Sequence, residues 1–276
     1  MNVVFGIFFF LLGTIIGSFL NVVIYRYNTG MGIGGRSQCF SCGKTLRWYE
    51  LVPVFSYIFL RGKCSKCKSS VAIQYPLVEL VTGLLFLYIY IRYAAYIMTY
   101  QFSVIAMLLE LIVISVLVVI FVYDMRHKII PDGLAFVFAV CALVYASIDP
   151  FTGFHMPSIW ALAAGPIAAF PFAFLWLISG GRWIGLGDAK LALGIGWMLG
   201  IIGGISAIIF SFWIGAPLSI MYILIQRIRL PRNTEQLTMK SEIPFAPFLI
   251  LGFLIVLFFS LSLPGLEGFM YIINEV

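Results

Sequence analysis

The chain has 276 residues, of which 62% are hydrophobic and only 10% charged, and its mean hydropathy is +1.07. A soluble domain carries about 25% charged residues, so this composition excludes an ordinary soluble enzyme, a disordered chain and a disulfide-stapled miniprotein. The net charge of +6 fits the Lys and Arg excess of loops on the inner side of a membrane better than nucleic-acid binding.

Residues 2–25 carry no charge, and no basic residue precedes them. They read as a retained first span, not a cleaved signal. Residues 75–123 are interrupted by Glu79, Arg92 and Glu110. They have room for two spans, with a turn near 98–102. A fourth span is expected over 130–148 and a fifth over 156–179. No charge lies between Lys190 and Arg227, which suggests two spans with a tight turn at Gly203–Gly204. The last span runs over 244–263. The apolar runs are continuous, whereas strands of a membrane barrel would alternate. The fold class is therefore an all-α integral membrane protein of about eight transmembrane helices.

The basic residues orient these spans. With the N-terminus outside, the inside segments are 26–74, 125–129, 180–190 and 227–243, and they hold 16 of the 17 Lys and Arg residues. Arg92 is the exception. It lies near the outer end of the second span, where its stem could snorkel.

Residues 26–74 form the one long polar insert, on the cytoplasmic side between helices 1 and 2. It carries Cys39-Phe-Ser-Cys42 and Cys64-Ser-Lys-Cys67, two pairs separated by 21 residues. Each pair can present two thiolates from a tight knuckle, and four thiolates close a tetrahedral zinc site with no open position. Gly43 and Gly62 suit the flanking turns. A cytoplasmic setting argues against stable disulfides. The metal is therefore expected to be structural and to supply folding energy to a small polar module. Cys141, within span four, is read as packing.

Charge at membrane depth needs a reason. Asp124 ends span three, and Asp188 opens span six within Gly185-Leu186-Gly187-Asp188-Ala189-Lys190. Both are expected at the cytoplasmic boundary, on different helices. Two adjoining carboxylates share a proton; one activates water while the other polarises a peptide carbonyl. Gly185 and Gly187 would allow a substrate backbone to approach closely or permit unusual dihedrals. Interfacial capping or pairing of Asp124 with Arg126 or Lys128 is the plainer alternative. His127 belongs to a basic loop, Asp132 is expected to cap span four, and Glu110 should face other helices or water.

Together these segments resemble the type IV prepilin peptidases, the bifunctional leader peptidases and N-methyltransferases of pilus and type II secretion systems. The resemblance rests on Gly17-Ser18-Phe19-Leu20-Asn21 through Arg26, on the cysteine module with Leu60-Arg61-Gly62-Lys63-Cys64 and Tyr75-Pro76-Leu77-Val78-Glu79, on Asp124 through Asp132, and on Gly185 through Lys190. It implies a GxGD aspartic protease with Asp124 and Asp188 as the catalytic pair, supported by the loop residues Gly185, Gly187 and Lys190. It implies cleavage of membrane-inserted prepilins or pseudopilins at the cytoplasmic face of a bacterial inner membrane. It also implies methylation of the new N-terminus with S-adenosylmethionine, with which the cysteine module and Gly62 are associated. Glu79 is expected either to be a structural partner or to touch that second activity. On this reading residues 1–25 are the first helix, 26–74 the zinc-binding insert and 75–276 a seven-helix peptidase domain. No Gly-rich nucleotide loop occurs in 26–74, so the residues themselves do not locate a donor site. Three other readings remain open: a peptidase without methyl transfer, an ion-coupled transporter or channel using the aspartates as a proton path, and a membrane scaffold whose zinc insert binds a partner.

Overall fold

A long apolar segment in lipid must satisfy its own backbone, and a helix does so. The computed structural model describes residues 3–30, 32, 34–97, 99–229 and 244–263. Its apolar runs are helices: α1 (Val3–Arg26), then after the short α2 (Phe55–Phe59) of the insert, α3 (Gln74–Tyr93), α4 (Gln101–His127), α5 (Asp132–Tyr145), α6 (Ile159–Ser179), α7 (Leu186–Arg229) and α8 (Ala246–Phe259). The described strands are two residues each, Ile148–Asp149 and Gly153–Phe154. Among the described residues five helices, α1, α3, α4, α6 and α7, are long and apolar enough to cross a membrane. Helices α5 and α8 are shorter, at 14 residues each. Of the inside segment 227–243, residues 230–243, with Arg232 and Lys240, lie outside the described residues.

Helix α7 is two helices in one. The turn expected at Gly203–Gly204 falls instead at Gly200, whose φ of +74° is open to glycine and strained for other residues. The chain folds back there. A Cβ on Gly204 would lie 3.1 Å from the Gly196 Cα, whereas positions 196 and 204 of a straight helix stand about 12 Å apart. Gly204 is therefore part of a helix crossing, where small residues let backbones meet.

Contacts divide the chain into two units, Met1–Val119 with Pro150–Gly153, and Ile120–Asp149 with Phe154–Val276. In the first, α1 packs along α3. A Cβ on Gly13 would stand 2.8 Å from the Gly83 Cα, so the two backbones are in contact. The Arg92 guanidinium meets the fully buried Glu110 at 2.6 Å. A buried carboxylate in an apolar bundle is costly unless paired, and this partner lies within reach of the Arg stem. In the second unit α7 packs against α5, α6 and α8, around the buried rings of Phe138, Phe172 and Phe253.

Candidate functional site

Asp124 lies in the last turn of α4 and Asp188 in the first turn of α7. Both belong to the second unit, both are buried at 4% and 9% exposure, and both line one cavity of about 960 Å³. They are close enough for the charge of Asp124 to act on Asp188. The helix dipole favours an acid at the start of α7 and disfavours one at the end of α4. Asp124 is compensated from elsewhere: the backbone N–H of Ala246, at the start of α8, donates to its carboxylate. Among the described residues its Oδ2 has no hydrogen-bond partner. Asp188 accepts the backbone N–H of Gly185. Among the described residues neither aspartate has an ion pair, so pairing of Asp124 with Arg126 or Lys128 does not explain it.

The two glycines of the motif differ. Neither carries a positive φ, so unusual dihedrals are not their purpose. A Cβ on Gly187 would meet the Ile130 side chain at 2.9 Å, while one on Gly185 would make only ordinary contacts. Gly187 thus lets the loop after α4 seat against the first turn of α7. Lys190 bonds Asp132 at 2.7 Å, and both line the cavity. Asp132 was expected as a cap, but Pro131 holds the cap position and the Asp132 carboxylate goes to Lys190. His127 packs against the Tyr123 ring, with centroids 4.4 Å apart. Lys128, Arg182 and Trp183 also border the cavity.

In the first unit Cys39, Cys42, Cys64 and Cys67 bring their sulfurs within 4.8 Å of one another. The Cys39–Cys67 separation is 3.8 Å, close to the edge of about 3.8 Å that a tetrahedron with 2.3 Å zinc–sulfur bonds requires. The two knuckles repeat one geometry. Cys39 N–H bonds Lys44 O and Gly43 N–H bonds Cys39 O; Cys64 N–H bonds Ser69 O and Lys68 N–H bonds Cys64 O. Gly43 and Lys68 occupy the same left-handed position, at φ +65° and +61°. Gly62 lies outside the knuckles; it closes α2 by donating to Tyr57 O at 2.9 Å. The N–H groups of Cys42 and Ser41 hold the Cys39 thiol down to about 6. Cys42 gains the Lys44 N–H, but desolvation and its sulfur neighbours outweigh it and push its thiol up to about 11. Four sulfurs this close cannot all ionise without a cation among them, and the donor set fits zinc. Cys141 sits in α5, outside this cluster.

A family model described as "Bacterial Peptidase A24 N-terminal domain" matches residues 11–93. One described as "Type IV leader peptidase family" matches residues 111–220. The curated relatives named "Prepilin leader peptidase/N-methyltransferase" include that of Vibrio cholerae, 30% identical over an alignment of 278 residues that covers 95% of this chain and all of that one. The Bacillus subtilis relative is 31% identical over 245 residues, covering 88% of this chain and 90% of its own. The Myxococcus xanthus relative is 32% identical over 228 residues, 80% of this chain but 64% of its own length. The chain belongs to the type IV leader peptidase family. No solved structure matches it. In this family member the first match spans all four cysteines and the second both aspartates.

Two features of the sites were not read from the sequence. One is the Ala246 donor, far along the chain from Asp124 and without a motif of its own. The other is Glu50, which joins the two knuckles of the insert. Its carboxylate accepts Lys44 Nζ at 2.7 Å, the Arg47 N–H at 2.8 Å and the Ser65 hydroxyl. These bonds, led by the Arg47 N–H, hold it down to about 2. An acid placed between two cysteine pairs was the available signal.

Proposed function

We propose that this chain cleaves the leader of membrane-inserted prepilins or pseudopilins and then methylates the new N-terminus. What carries the peptidase reading is a pair of buried carboxylates, Asp124 and Asp188, on one cavity and without cations bound to either. One carboxylate takes a proton from water, whose oxygen attacks the scissile carbonyl. The other gives its proton to the carbonyl oxygen. Collapse of the tetrahedral adduct breaks the C–N bond, and a proton passes from the pair to the leaving amine. The cavity is large enough for an extended peptide segment, and holding it beside the pair lowers the entropic part of the barrier. Lys190 with Asp132, and Gly187 with Ile130, hold the loops that frame this cavity.

The basic segments favour a bacterial inner membrane with the N-terminus outside and residues 26–74 in the cytoplasm. Residues 26–74 would hold zinc through Cys39, Cys42, Cys64 and Cys67 and serve methyl transfer; the helices after 75 would serve cleavage. S-adenosylmethionine would supply the methyl group as an electrophile on a sulfonium. The test is cleavage of a purified precursor by the full chain in nanodiscs. Asp124→Asn and Asp188→Asn should each lower the rate by about 10³-fold or more, as loss of an essential acid or base does, with zinc content unchanged. Near-normal cleavage by either variant would refute the assignment, and proton flux without cleavage would favour the transport reading.

A further inference from the structure

The unit that carries the insert has a cavity of its own, of about 620 Å³, lined by the end of α1, the cysteine knuckles and the start of α3. Glu79 is on its wall and is 7% exposed. Its carboxylate accepts the Val54 N–H at 2.7 Å and a bond from the Ser18 side chain. Among the described residues no basic side chain bonds it. A buried carboxylate held only by neutral donors keeps its charge uncompensated, which is unfavourable. Even so, the chain is strained to hold it. Val54 stands at φ +62° and ψ −50°, inside a tight turn in which the Phe55 N–H meets Pro53 O at 2.6 Å. A β-branched residue is an outlier in that region. Strain of this kind persists where surroundings enforce it, and it gathers at ligand sites.

The same cavity presents aromatic faces. Tyr25 and Tyr75 stack with centroids 5.1 Å apart and planes 9° apart, and Phe40 lies 5.7 Å from Tyr25. Glu50, Arg26, Arg36 and Lys63 also line the cavity, but Glu50 is taken by Lys44, which leaves Glu79 as the carboxylate without an ion pair among the described residues. Such a carboxylate beside aromatic faces is the chemistry that receives an organic cation bearing a flat ring. The volume lies within the range of about 300–1,000 Å³ usual for small-molecule sites.

We propose that this cavity binds S-adenosylmethionine, with Glu79 balancing the sulfonium and the Tyr25–Tyr75 pair receiving the adenine. This rests on the methyl-transfer reading above. In the transfer, the lone pair of the new N-terminal amine forms the N–CH₃ bond, and the S–CH₃ bond breaks with its electron pair going to sulfur. The resulting ammonium then yields a proton to water. Sulfur ends neutral, so Glu79 loses its counter-charge and the product S-adenosylhomocysteine is held less tightly than the donor.

The experiment compares equilibrium binding of S-adenosylmethionine and S-adenosylhomocysteine to the full chain in nanodiscs by calorimetry. The wild type should favour the donor by about tenfold, the scale of one charge-assisted contact. Glu79→Gln should bring that ratio toward one and leave the affinity for the homocysteine within about twofold, while Glu79→Asp should restore the preference. A merely structural Glu79 would weaken both ligands together, and that result, or an unchanged ratio, overturns the proposal. Should Glu79→Gln lose its zinc, Tyr25→Leu decides. Loss of a stacked base should weaken both ligands by about fivefold or more, and unchanged binding overturns the site. If the wild type binds neither ligand, the proposal falls together with methyl transfer. If it binds both and the variants do nothing, only the location falls.

Discussion

In the unit that holds the insert, Glu50 and Glu110 are both ion-paired, to Lys44 and to Arg92. In the unit that holds the aspartates, the exposed Asp132 is ion-paired to Lys190, while the buried Asp124 and Asp188 have a single backbone N–H each. The contrast separates acids neutralised by a cation from buried acids left without one. A structural carboxylate is neutralised because removing a partner from a buried pair is strongly destabilising. On the reading proposed above, a reactive one keeps an open oxygen, as Oδ2 of Asp124 does among the described residues. Glu79 follows the second pattern inside the first unit, which is why it stands out there.

The largest test of this contrast removes the metal ligands. Cys39→Ser with Cys64→Ser should abolish zinc in elemental analysis and expose residues 26–74 to limited proteolysis, because a small polar module depends on its metal to fold. Precursor cleavage should fall far less than methyl transfer. Equal losses would show that the peptidase pair depends on the insert.

A smaller effect is expected at the loop framing the aspartates. Gly187→Ala places a methyl group 2.9 Å from Ile130, and a displacement of that kind should lower cleavage by about 10- to 100-fold. Adding Ile130→Ala should recover part of the loss, measured as initial rates on the same precursor.

Glu50 gives a pH signature. Its bonds lower its pKa from 4.5 to about 2, so its stabilising contribution is complete above 4.5 and is lost as pH falls toward 2. Thermal denaturation of Glu50→Gln should therefore differ most from wild type above pH 4.5, and the two should converge near pH 2. A constant gap would mean that Glu50 acts through shape and not charge.

The smallest effect is expected at Lys190. Its pair with Asp132 is exposed on both sides, and exposed pairs contribute about 0–1 kcal/mol. Lys190→Met should change cleavage by less than about fivefold. A loss on the scale of the aspartate variants would make Lys190 a participant in the reaction.

Much of the fold was readable because hydrocarbon leaves the backbone few options. The uncharged run before Arg26 and the long gap after Lys190 announce helices by themselves. What escaped was decided by packing. Gly203 and Gly204 look like a turn, but the helix crossing uses Gly204, and the fold-back moved to Gly200, where a left-handed φ was needed. Arg92 and Glu110 are separated in sequence by a turn whose geometry sets their meeting, and neither residue names the other. The cysteine pairs were legible because ligand spacing is local. The support for Asp124 was not, because its donor is a backbone group with no side-chain identity.

That donor bears on how far the peptidase extends. The family match that covers both aspartates stops at residue 220, yet Asp124 is steadied by the amide of Ala246. A truncated chain could retain both buried aspartates and still lose the amide that steadies one of them. The support of the buried pair thus includes an anonymous peptide bond at the head of α8, beyond the reach of any motif.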